Sequence, residues 1–429
     1  MISLTRIISV ACFVLLPIWT VMADNFLPPK LEITGNQKTD TRVIAQEVVK
    51  PSGSEYSELD VQNTQDAIMA LGLFELVQVA LYNNTGEPTL NIVVKEKKHD
   101  WYVLPRINRN GDGDVTLGVD WRDNNFKGLN QRVRLTIAQK EYDGASRNKE
   151  SRINFRYLYP RIVGTDYSAS FDTTLVNVGI DEEREGLKGI YERNHVSVGA
   201  GVGKWFGKSG TSKGLLVYLG GRYSQYDHEL ESGDAGLYFD ATTISLETNI
   251  VYRNVNDNLY SRSGQQFGIR FSMADESFGS DVNLQYQTAY YRRYLPVGSI
   301  PHTNFNYQIQ LGSGKRSIFG ESIYDLSGDY SLRGFARETL EGDAFFVVNT
   351  EYLRPLFGKP HVRGALLLDF GNAYSSFADI TDADLEVGAG IGLRWQFKSW
   401  VNTELRIDAA YGFGDLGGSR VYVSTNAAF

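Results

Sequence analysis

The chain has 429 residues, 42% of them hydrophobic and 22% charged, with a formal net charge of −8 and no basic run or arginine stripe. That balance argues against a nucleic-acid partner. Its 25 Tyr, 22 Phe and 43 Gly stand beside 11 Pro, 4 Met and 1 Cys, which suits many strands, tight turns and aromatic interfaces and excludes a disulfide framework.

Residues 1–23 read as a secretory signal peptide. Arg6 supplies the positive start, Ile7 to Val21 the apolar stretch, and Val21-Met22-Ala23 the small residues before Asp24. The single cysteine, Cys12, lies inside this segment, and no leucine sits three residues before it to suggest a lipoprotein. The mature chain is then expected to begin near Asp24 without a thiol, as suits an exported protein. No later segment reaches the roughly 18–20 apolar residues that a spanning helix needs. If this chain crosses a membrane, strands must do it.

Residues 28–97 predict a small α+β unit. Lys30 to Gly35 alternates as a strand, and Thr41 to Val49 forms a short helix turning Val43, Ile44 and Val48 inward. Ser57, with Asp60 three residues on, reads as a capping box. Val61, Thr64, Ile68 and Leu71 then recur at helical spacing until Gly72. Two alternating strands follow, one carrying Val77, Val79 and Leu81, the other Leu90, Ile92 and Val94. The order is β-α-α-β-β. With the Leu71-Gly72-Leu73-Phe74 passage, this pattern resembles a POTRA domain, the periplasmic module of BamA/TamA-type outer-membrane proteins.

From residue 98 to 429 the period becomes two. Leu385, Val387, Ala389, Ile391, Leu393, Trp395 and Phe397 share one face, while Glu386, Gly388, Gly390, Gly392, Arg394 and Gln396 take the other. Val401 to Tyr411 repeats the alternation against Glu404, Arg406 and Asp408. An unbroken apolar stripe opposite polar and glycine positions, strand after strand, predicts a transmembrane β-barrel. Sixteen strands fit, from 101–108 through 303–314, 344–356, 361–374, 385–397 and 400–413 to 419–429. Short periplasmic turns are expected at Phe357 to Pro360 and Lys398-Ser399, and a longer acidic external loop at Asp181, Glu182, Glu183 and Glu185. Trp395, Phe397 and Trp400 mark an interfacial aromatic girdle. The terminal Phe429, on an amphipathic strand, resembles the assembly signal of bacterial outer-membrane proteins.

Leu332-Arg333-Gly334-Phe335 sits in the long connection between the eleventh and twelfth strands. It resembles the [VL]RG[FY] motif that the BamA/TamA superfamily keeps in its sixth external loop. Leu368-Asp369-Phe370-Gly371-Asn372 resembles the family's aspartate-glycine strand motif, Glu351 falls where the family has a lumenal glutamate, and Asp123 to Gly128 resembles its early turn. Asp257 with Ser263-Gly264 resembles a mid-barrel motif that has proline where this chain has Ser263.

Strand parity makes an independent case. Asp369 shares a face with Arg363, opposite Leu366, Leu368 and Phe370, and Glu351 lies opposite Tyr352. Two lumenal carboxylates on adjacent strands call for a cation, and Arg333 on a returning loop offers a planar fork. Lumenal Gly388, Gly390 and Gly392 are expected to leave room for the loop tip. Pro105, lacking an N–H on the first strand, is expected to weaken the seam with the last strand.

The resemblance implies insertion or export of polypeptides without nucleotide hydrolysis, from the bacterial outer membrane with the POTRA domain in the periplasm. Implied partners are outer-membrane lipids, substrate polypeptides and accessory periplasmic proteins. A dedicated translocator for one secreted partner, and a passive anchor or pore, are the alternatives. No enzyme, cofactor or metal is expected. The five histidines are scattered, and Gly199 to Lys204 and Gly312 to Lys315 lack the full phosphate-loop spacing. Asp112 and Asp114 read as a solvated hairpin turn.

Overall fold

A computed structural model describes residues 30–424 apart from 50–55, 85–86, 110–112, 143–146, 185, 210–212, 316–317, 329–330, 383 and 402–403. The signal-peptide expectation for 1–23, the terminal Phe429, Asp112 and Glu185 lie outside the described residues.

The N-terminal unit is a three-stranded sheet in which Lys30–Thr34 runs parallel to Glu87–Glu96, itself antiparallel to Phe74–Asn84. Two helices cover one face. The second, Glu58–Met69, starts at the expected capping box, with the Ser57 side chain accepting from the Asp60 N–H and the Asp60 carboxylate from the Ser57 N–H. The first helix is shorter than the pattern suggested and ends at Ala45. β-Branched Val48 and Val49 ahead of Pro51 disfavour another turn. Val43, Ile44, Ile68, Leu71, Phe74, Leu90 and Ile92 form the core, and Val401 from a barrel turn completes it.

This unit is seated on turns at one end of the large sheet. The turn at Lys127 to Asn130 places Gly128 at φ 70°, where an added Cβ would lie 2.2 Å from the Lys38 carbonyl oxygen. The Asp40 N–H donates to Gly128 O at 2.9 Å, and Asn125 donates to the Thr39 hydroxyl at 3.0 Å. Arg161 reaches the Gln46 carbonyl at 2.7 Å, and Lys213 reaches Asn63 at 3.0 Å.

The second sheet has sixteen antiparallel strands, each paired with its neighbours in chain order, from Trp101–Arg109 to Ser419–Ser424. A short hairpin, Tyr324–Asp325 with Glu341–Gly342, decorates the connection between strands eleven (Asn304–Lys315) and twelve (Ala344–Leu356). The sheet curls until its ends approach. His99, just before strand one, bridges to Trp400 in the turn after strand fourteen (Glu386–Gln396), and the Tyr102 hydroxyl donates to Val401 O at 3.3 Å. Pro105 stands opposite Val119 of strand two. No ladder joins strand one to strand sixteen among the described residues.

Polarity is inverted relative to a water-soluble protein. Leu366, Leu368, Ile391, Val202 and Leu219 point outward and are exposed, while Arg333, Arg394 and Arg406 are among the most buried large side chains. An apolar outer wall around a polar interior is the pattern of a sheet whose solvent is lipid. Trp395, Phe397 and Trp400 form a chain of rings that continues onto Tyr102, stacked on Trp400 at 5.0 Å.

One expectation about the outside is corrected. Asp181, Glu182 and Glu183 belong to strand five, Tyr167–Arg184, which pairs with strand six, Leu187–Ser209, up to Arg184 opposite Leu187. Strands five to eight run 18 to 23 residues, well beyond the roughly 9–11 needed to cross the hydrocarbon. Their far ends carry Asp181, Glu182 and Glu183 on one stretch while Val178, Ile180 and Tyr191 stay buried, so the ladder continues where a strict apolar-polar alternation does not.

Candidate functional site

The loop between strands eleven and twelve folds into the lumen and is held at two places. Its tip carries a small apolar core of Leu326, Leu332, Phe335 and Leu340 against Phe345 and Val347 of strand twelve. Gly334 has φ 98°, a left-handed conformation open to glycine. Its N–H donates to the Tyr422 hydroxyl on strand sixteen at 3.0 Å, and its carbonyl accepts from the Gly418 N–H at 2.9 Å. Phe335 bridges to Gly417.

Arg333 is 2% exposed and grips Asp369 of strand thirteen (Lys359–Tyr374) with both edges of its fork, Nε to Oδ2 and Nη2 to Oδ1 at 2.6 Å each. Its Nη1 donates to Glu351 Oε1 at 3.2 Å and to Asp408 Oδ2 at 3.4 Å. Asn349 fixes the same carboxylate, donating to Asp369 Oδ1 at 3.0 Å and to the Ser331 carbonyl at 2.5 Å.

Two more arginines complete the cluster. Arg394 donates to Glu351 Oε1 and Asp408 Oδ1 at 2.5 Å each, and Arg406 Nε donates to Asp408 Oδ2 at 2.7 Å. Three guanidinium groups thus face three carboxylates in a buried, charge-balanced network spanning strands twelve to fifteen (Glu404–Gly412). Breaking one partner of such a network typically costs about 3–5 kcal/mol, because a charge is left without an opposite.

Sequence reasoning named Arg333, Asp369 and Glu351 and missed Asp408, Arg394 and Arg406. The signal was available, since all three share the lumenal parity of adjacent strands. The glycine expectation needs revision. A Cβ on Gly388 would lie 2.1 Å from the Arg333 carbonyl oxygen, so this glycine does face the tip. Gly390 instead lies against Ala409 and Ala410 of strand fifteen, and Gly392 against the Asp408 carboxylate. Gly412, which sequence reasoning did not select, supplies the second close approach, its added Cβ falling 2.5 Å from the Gly334 carbonyl oxygen. Parity places a glycine on the inner wall but not at a particular depth, and of the three Gly388 is the one against the tip.

The second anchor lies across the lumen near the outer mouth. Phe319 is buried with Val178, Ile180, Tyr191, Leu237 and Tyr238 of strands five and six and the connection after strand seven. Arg193 packs against both the Phe319 and Tyr238 rings, 4.8 and 4.9 Å from their centroids, and donates to His228 Nε2 and Glu321 at 2.8 Å each. Asp114, expected at a solvated turn, is instead buried, because it pairs with Arg337 of the long loop between strands eleven and twelve and with Lys140. Gly199 to Lys204 and Gly312 to Lys315 lie within strands six and eleven.

The Omp85 superfamily domain matches residues 125–399, and the POTRA family of surface antigen variable number repeats matches 30–97. No curated protein matches the chain. Among solved structures, CdiB from Acinetobacter baumannii is similar at a TM-score of 0.63 and 14% identity, over 93% of this chain and 73% of that one. CdiB from Escherichia coli gives the same TM-score and identity over 92% and 75%. BamA from Haemophilus ducreyi lacking POTRA domains 1-3 gives 0.53 at 15% identity, over 94% and 85%. With one POTRA domain beneath a sixteen-stranded barrel and most of that barrel matched, this chain belongs to the Omp85 superfamily.

Proposed function

We propose that this protein inserts or translocates other polypeptides at the bacterial outer membrane, using strand pairing and no chemical step. The observation that carries the reading is the pair of strand edges at the barrel seam. Strands one and sixteen end the sheet with no ladder between them among the described residues, and an unpaired edge is a template for an incoming strand. Pro105 on strand one, opposite Val119 of strand two, carries no N–H to donate. The Arg333 cluster joins strands twelve to fifteen and the Gly334 contacts reach strand sixteen, so the wall beside the seam is braced by the loop. The edge strands Lys30–Thr34 and Phe74–Asn84 of the POTRA sheet offer the same mode of recognition below.

On this reading Arg333, Asp369 and Glu351 position the loop tip and touch no substrate. Depletion of the protein followed by quantitative profiling of outer-membrane and secreted proteins tests the function. Loss of several barrel proteins supports insertion, and loss of one exported protein supports dedicated translocation. A fall in small-solute permeability with both protein sets intact overturns the proposal in favour of a pore.

A further inference from the structure

Between the POTRA unit and the Arg333 cluster lies a cavity of about 490 Å³ whose charge is opposite to that of the chain. Its lining contains eight arginines and Lys97 but only three carboxylates, Asp257, Glu351 and Glu404, in a protein of net charge −8. Composition therefore does not account for it.

Ion pairing accounts for most of these cations but not all. Asp257 is shared by Arg253 and Arg262, Glu404 takes Arg363, and Glu351 takes Arg394. Asp120, behind the wall, takes Arg122 and Arg134. Arg132 and Arg156 have no ion-pair partner within 4 Å among the described residues, and Arg132 Nε is buried without a hydrogen-bond acceptor. A buried guanidinium N–H left unsatisfied is costly unless something accepts from it.

We propose that this cavity is a binding site for a phosphate-type oxyanion held by Arg132 and Arg156. Guanidinium forks match the oxygens of phosphate, and their fixed charge suits a multivalent anion better than a neutral ligand. Rings of arginine at a barrel constriction serve phosphate and anion selection on the same physical grounds. The volume falls within the usual range of small-ligand sites. The floor is POTRA backbone and side chain at Gly72 and Phe74, and the roof includes Arg394 and Glu351 of the docking cluster. An occupant would touch both the POTRA unit and the barrel, so binding would tighten their junction. The inference is independent of the polypeptide-handling reading above, since it needs only the cavity and its two unpaired arginines.

The test is titration calorimetry on the full-length mature protein in neutral detergent at constant ionic strength, with inorganic pyrophosphate as the probe. Saturable one-to-one binding is expected, weakened at least tenfold by Arg132→Gln with Arg156→Gln. Gel mobility on heating reports whether that variant still forms the barrel, and Arg132→Lys, which keeps the charge, is expected to retain part of the affinity. Dihexanoyl phosphatidic acid forms the second arm. Tighter binding of it than of pyrophosphate identifies a lipid headgroup as the source, and the reverse identifies a free phosphate compound. No saturable binding by either probe, binding unchanged in the folded double variant, or tighter binding of an acidic decapeptide than of both probes overturns the proposal.

Discussion

Gly388→Ala tests loop docking without altering a charge. Gly388 pairs with Asp369 on one side and Gly412 on the other, so its backbone is fixed by two ladders and cannot retreat. The new methyl would sit 2.1 Å from the Arg333 carbonyl oxygen, more than 1 Å inside ordinary contact, and the loop tip must lift. Lifting it pulls the Arg333 fork off Asp369, where both bonds are 2.6 Å. Water entering behind the tip softens the loss, so a cost of about 3 kcal/mol is expected, at the lower end for a broken buried network. That corresponds to roughly a hundredfold in the docked-to-undocked ratio. Hydrogen exchange read by mass spectrometry on peptides spanning 326–340 measures it directly. The expected result is exchange roughly a hundredfold faster in Gly388→Ala, with no change in Gly221→Ala, where the nearest atom to an added Cβ is 3.7 Å away. Loop exchange within threefold of the parent, in a barrel that still resists heat on a gel, would refute the docking argument.

Asp408→Asn leaves Arg394 and Arg406 short of a carboxylate and should lower stability by about 3–5 kcal/mol. Adding Arg406→Gln restores the charge balance and should recover part of it, read as the heating midpoint of the gel-mobility shift. Lys97, buried beneath the cavity, has its ammonium pushed down by desolvation to about 8 from 10.5. Below pH 8 the folded chain holds this charge at a penalty on the order of 3 kcal/mol. From pH 8 to 10.5 the unfolded chain binds a proton the folded one has shed, so stability contributed here rises with pH. Lys97→Met should flatten that rise in thermal scans at pH 7.5 and 10; equal slopes for the two proteins would count against it. Phe319→Ala removes the ring packed on Arg193 and Tyr238 and should cost about 3–5 kcal/mol locally, seen as faster exchange near 318–323 and 237–241 with the tip near 333 unchanged.

Much of this architecture was legible in the chain because lipid enforces a period of two that nothing else would sustain from residue 101 onward. The tetrapeptide at 332–335 was legible for a related reason, since an arginine flanked by apolar residues in a water-facing loop is out of place unless something receives it. Asp408 and Arg406 were harder to see. Parity put them on the inner wall, but register between strands thirteen and fifteen decides depth, and depth is not written in any one strand. Strands five to eight continue past the point where their apolar alternation stops, so their tops read as loops. The aromatic partners of two histidines were hidden for the same reason: the register between strands six and seven sets His195 opposite Tyr226, stacked at 4.3 Å, and the connection after strand seven brings Tyr238 onto His228 at 4.9 Å.

The two anchors of the long loop have a mechanical consequence. Phe319 packs on strands five and six and the connection after strand seven, and Arg333 on strands twelve to fifteen, so two contacts of one loop tie separate walls together as a spoke across the cylinder. A hoop of strands alone flattens readily under lateral pressure from the bilayer. With a spoke in place, squeezing one wall must either push the other or detach an end, and the barrel keeps its cross-section until one of those two attachments lets go.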